Sequence, residues 1–89
     1  MLRITKVRED RTTVVLKLEG KITAQWASLL DGECRTILQQ KKTVHLDCAK
    51  VDFMDVQGME VLKNLPRKNV TLIGAPEYVT ELLQIGGRS

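Results

Sequence analysis

In the stretch Thr43-Val44-His45-Leu46-Asp47-Cys48 every second residue is apolar, and the residues between are polar. That period of two marks a strand with one buried face and one wet face. The same alternation runs through Leu2 and Ile4, and apolar residues again recur at every second position at Val14, Leu16 and Leu18. A sheet covered by helices on both faces needs strands that are apolar throughout. These strands are not, so the chain is constrained to a sheet with helices mainly on one face.

The segments between the strands follow other rules. Glu9-Asp10-Arg11 is a polar turn, which makes the first two strands a hairpin. Gly20 is expected to end the second strand, and Thr23 to N-cap a helix. From 24 to 40, Trp26, Leu29, Leu30, Ile37 and Leu38, with Cys34 among them, share one helical face. Gly32 inside that helix costs roughly 1 kcal/mol relative to Ala. Lys41 and Lys42 stand where a helix C-terminus favours cations.

After the strand at 43–48 comes an expected loop at 49–54. Asp55 is placed to cap a short helix from 56 to about 65, which Pro66 stops. Residues 69–74 form a further strand. Pro76 opens a last helix to about 85, and Gly86-Gly87 ends it. The expected fold is α/β, a layered (β/α) domain of order ββαβαβα. Its mixed sheet is a hairpin followed by parallel strands with right-handed crossovers. Eighty-nine residues hold one such domain, over 1–87, with a loose tail at 88–89.

Composition narrows the function. With 43% hydrophobic and 28% charged residues the chain has a globular balance, and no apolar run approaches the length that inserts in a bilayer. The opening MLRITKVRED has no apolar secretion core, so a cytoplasmic location is expected. A net charge of +3 is modest, and Trp26, Phe53 and Tyr78 are the only aromatics, which argues against a nucleic-acid platform. Cys34 and Cys48 lack CxxC spacing and a neighbouring His cluster, so they read as small buried hydrophobes and not as zinc or disulfide residues. His45 shares a strand face with Asp47, but no Ser or Cys nucleophile is placed to use the pair. No catalytic set, metal site or cofactor motif emerges.

Two features remain. Asp47, Asp52, Asp55 and Glu60 against Lys50 make residues 43–60 net −3, which leaves +6 for the rest of the +3 chain. The acids read first as two loop aspartates, one helix cap and one exposed helix residue; otherwise such a split orients a partner, or the acids serve a phosphoryl-receiving pocket. The second feature is the run from Val51 to Leu62. An aspartate cap followed by a glycine at the third helical position exposes backbone N–H groups and permits close approach.

The pattern D-F-M-D-x-x-G-M-x-V-L in that run resembles the phosphorylation-loop motif of STAS domains, the family of anti-sigma factor antagonists and of sulfate-transporter tails. VVLKLEGKIT, TVHLDCAKVDFMDVQG and NVTLIGAPEYVTELLQIGG resemble the family's strands, loop and later helix. The resemblance implies a non-enzymatic module that docks a protein partner through Asp55, Val56, Gln57, Gly58, Glu60 and Lys63. That partner is an anti-sigma-factor-like ATPase or kinase, or a transporter subunit. The family's switchable members carry a phosphorylated serine directly after the motif aspartate. Here that position is Val56, and Gln57 follows, so no phosphoacceptor stands in the loop. Three readings stay open: an antagonist without a serine switch, an accessory subunit of a membrane transporter such as an ABC-type lipid transporter, and an acid-cluster phosphoryl receiver. Within the helix, Met59, Leu62 and Leu65 are expected to face the sheet, and Gln57, Glu60 and Lys63 to face out.

Overall fold

The structure, a computed structural model, describes residues 1–75 and Glu77. The elements are β1 (Leu2–Glu9), β2 (Thr13–Ile22), α1 (Ala24–Gln39), β3 (Thr43–Met54), α2 (Val56–Asn64) and β4 (Val70–Ile73). The expected last helix at 76–85 and the tail lie outside the described residues. The four strands form one sheet in the order β1-β2-β3-β4. β1 and β2 are antiparallel, while β2–β3 and β3–β4 are parallel. This is the mixed sheet that the hairpin and the strand–helix alternation demand.

The hairpin turn is built by Asp10, whose Oδ1 accepts the N–H groups of Thr12 at 2.9 Å and Thr13 at 2.8 Å. These bonds hold the Asp10 carboxyl below the usual carboxylate range.

Val14, Leu16 and Leu18 of β2 and Val44, Leu46 and Cys48 of β3 are all buried, and they form the floor of the core. Lys17, His45 and Asp47, on the opposite face, are only half-buried. α1 and α2 pack against each other and on β2 and β3, so both cover the apolar face.

Two strand ends differ from expectation. β2 does not end at Gly20 but runs on to Ile22, and the expected loop at 49–54 is the second half of β3. Each extension supplies the other's backbone partners: Gly20 pairs with Val51, Lys21 with Phe53 and Ile22 with Met54. Register shifts after Lys17 and after Gly20 break the pleat, and burial then falls on Cys48, Val51 and Met54, three apart instead of two. That lost period is why the segment reads as a loop. Gly20 serves a different purpose there, with φ +105° and no room for a Cβ beside the Met1 carbonyl oxygen.

The buried face of α1 is Ala27, Leu30, Cys34 and Ile37. Trp26 and Leu38 flank it and pack against the core. Leu29, expected in the core, is 49% exposed. It lines a groove of about 390 Å³ between α1 and the hairpin, floored by Leu2, Ile4, Val14 and Leu16. The helix sits over β2 and β3, so its β1-facing flank stays open.

Lys42 does not serve the α1 C-terminus; its ammonium meets Glu9 Oε2 at 2.7 Å, across from Lys6 on Oε1 at the same distance. Lys41 instead takes the left-handed φ of +63° as the helix ends.

Candidate functional site

The site lies where β3 hands over to α2. Asp55 occupies the N-cap with extended angles, and its Oδ1 accepts the Gly58 N–H at 2.8 Å. The Asp55 N–H donates to the Ile22 carbonyl at 3.2 Å, so the turn is anchored to the end of β2. The expected cap is present, and it satisfies one of the donors that a helix start leaves over.

The second carboxylate oxygen does something the sequence did not disclose. Asp55 Oδ2 accepts the N–H of Ala24, the first residue of α1, at 3.1 Å. Thr23 stands at the α1 N-cap as expected, but its side chain makes no capping bond. One carboxylate therefore joins the starts of both helices.

Gly58 is buried, and a Cβ there would meet the Ile22 carbonyl oxygen, with Ile22 Cγ2 and Met54 Cγ at 2.9 Å. What approaches this glycine is the end of β2, not a ligand. Gly58 belongs to the support of the site and not to its surface. Leu62 and Leu65 are buried and Met59 packs on the core, as the helical spacing requires.

Gln57 and Glu60 are exposed and Lys63 is half-buried. Val56 is 64% exposed and Phe53 49%, so two large apolar side chains face solvent on either side of the Asp55 cap. The sequence does not mark Phe53 as a site residue: it is an aromatic in a strand half whose period is broken, which does not tell inside from outside.

The acids of residues 43–60 do not converge. Asp47 accepts the Ala49 N–H at 3.1 Å, Asp52 lies 4.0 Å from Lys21 Nζ, and Asp55 is committed to backbone N–H groups. Among the described residues, no three His, Cys, Asp or Glu side chains are grouped so as to hold a metal ion. The thiols offer no nucleophile at neutral pH: burial pushes Cys34 up to about 12 and Cys48 up to about 11. No helix among the described residues is long and apolar enough to cross a membrane.

The described residues thus form a mixed sheet with α1 and α2 on one face and an aspartate-capped, glycine-bearing helix start at the end of an interior parallel strand. The chain belongs to the STAS family: the family model described as Mlab, STAS domain matches residues 5–88. Among solved structures, the chain is similar to the anti-sigma factor antagonist SpoIIAA in its unphosphorylated form. That likeness has a TM-score of 0.77 and 18% identity, over 94% of this chain and 84% of SpoIIAA, and it shows a shared fold. Mglu is similar at 25% identity and a TM-score of 0.63, over 84% of this chain but only 19% of Mglu. No curated protein matches the sequence significantly.

Proposed function

We propose that this chain is a non-enzymatic interaction module that docks a protein partner through the first turn of α2, with Val56, Gln57, Glu60 and Lys63 facing the partner. Asp55 and Gly58 hold that turn in place. The observation that carries the reading is the exposure of Val56, 64%, directly after the capping aspartate. A large apolar side chain left in solvent at a rigidly capped helix start is suited to burial in an interface. STAS membership, and the fold shared with an anti-sigma factor antagonist, support an antagonist-like role. Residues 51–62 contain no Ser, Thr or Tyr, so a hydroxyl-phosphorylation switch has no acceptor within that stretch.

A second reading rests on Val56 together with Phe53. Phe53 and Val56 suit a contact that stays dry permanently, as an accessory subunit of a membrane transporter makes with its core subunit.

Val56→Asp tests the docking surface. The acid suits the positive end of α2, so circular dichroism should show an intact fold. The added charge should weaken the contact, by repulsion from an acidic partner or by desolvation against an apolar one. Affinity capture with wild-type and Val56→Asp baits should retain a protein on the first that the second loses. Equal retention by two folded baits places the docking surface elsewhere, with the wetter sheet face around His45 next to be probed.

A further inference from the structure

The first turn of α1 is built unlike that of α2. Thr23 has N-cap backbone angles, φ −132° and ψ 150°, yet its hydroxyl caps nothing. Ala24 has φ +39°, in the left-handed region where an L-residue's Cβ crowds the backbone. The Ala24 N–H is held by Asp55 Oδ2 at 3.1 Å, while Asp55 Oδ1 caps α2 at 2.8 Å. A strained residue, an unused local cap and a borrowed carboxylate thus meet at one turn.

We propose that Asp55 is a latch: its carboxylate holds Ala24 in the left-handed conformation, and release of Oδ2 lets the first turn of α1 pass to a relaxed second arrangement. In the relaxed state Ala24 takes negative φ. Thr23, whose backbone already has the right angles, caps α1 through its own hydroxyl. Asp55 then caps α2 alone through Oδ1. The bistable element is the turn around Thr23 and Ala24, and it is biased from α2, which lies 31 residues further along the chain.

The regulatory consequence rests on the docking reading, whereas the latch itself does not. A partner that displaces the Asp55 carboxylate on engaging Val56 and Gln57 relaxes α1. By linkage, whatever relaxes α1 changes the affinity for that partner.

The test needs no partner, so its failure leaves the docking reading intact. Amide exchange and the HN–Hα coupling of residue 24 are measured by NMR on the wild type, Asp55→Asn and Ala24→Gly. Asparagine caps a helix as well as aspartate does, but it offers one acceptor oxygen where the carboxylate uses two. In Asp55→Asn the Gly58 amide should keep its protection. The Ala24 amide should lose its own, and the coupling should move to that of negative φ. Glycine takes positive φ freely, so in Ala24→Gly the amide of residue 24 should exchange roughly five- to thirtyfold more slowly. Retained protection and positive φ at Ala24 in Asp55→Asn would overturn the latch. So would an Ala24→Gly protein whose residue-24 amide exchanges no more slowly than the wild type's, and this arm decides alone if Asp55→Asn does not fold.

Discussion

Asp55 and Ala24, 31 residues apart in sequence, share a hydrogen bond of 3.1 Å that ties the start of α2 to the start of α1. Asp55 is thereby more than a helix cap. Its two oxygens serve two helices, and they do so at the end of the sheet where the candidate docking turn is presented.

Removing that carboxylate costs two bonds at once. Asp55→Ala should lose roughly 1–3 kcal/mol, since it strips partners from the Gly58 and Ala24 N–H groups. Asp55→Asn keeps one acceptor oxygen and should lose less. Urea melts of the two variants decide it, and equal losses would assign the effect to the negative charge and not to the bonds.

The glycines of the two helices should respond in opposite directions. Gly58 has no space for a methyl group beside the Ile22 carbonyl, so Gly58→Ala should cost roughly 1–3 kcal/mol through forced displacement of α2. Nothing lies within 4 Å of a Cβ at Gly32. There the better helix propensity of alanine should stabilise the protein by roughly 0.5–1 kcal/mol. Thermal melts of both variants give the comparison, and a neutral Gly58→Ala would show that the packing of α2 on Ile22 adjusts freely.

The thiols should be silent in the native state. Cys34 and Cys48 are buried, and burial raises them to about 12 and about 11, so little thiolate forms at mildly alkaline pH. A thiol-specific disulfide reagent should label neither residue of the folded protein and both after denaturation. Rapid native labelling would mean that the sheet–helix core opens readily.

Acid should act through Glu9. Hydrogen bonds from Lys42 and then Lys6 hold its carboxyl at about 2 against an ordinary 4.5. The folded state thus favours the ionised form. Its contribution is complete above pH 4.5, declines as the pH falls towards about 2, and is gone below that. The stability difference between wild type and Glu9→Gln should shrink across that window. A side-chain carbon titration of Glu9 with its midpoint at the ordinary value would show that neither lysine holds it in solution.

What the sequence determined by itself is whatever depends on neighbours along the chain. The alternation at Val44, Leu46 and Cys48 reports burial on one face because a strand repeats every two residues, and α1 and α2 lie on that side. Asp55 as a cap and Pro66 as a stop are legible because each acts on backbone groups within a few residues of itself. Tertiary structure decided what depends on a partner strand or helix. The second half of β3 is a strand only because the end of β2 pairs with it, and the bulges that allow this erase the period that would have announced it. Leu29 is exposed because α1 sits over β2 and β3 and leaves a groove open towards β1, a placement its own apolar stripe does not encode. The second oxygen of Asp55 finds Ala24, and Gly58 finds the Ile22 carbonyl, because the two helix starts are brought to one end of the sheet. A capping residue sees its own turn in the sequence; which other turn comes within 3.1 Å of it is settled only by how the helices pack.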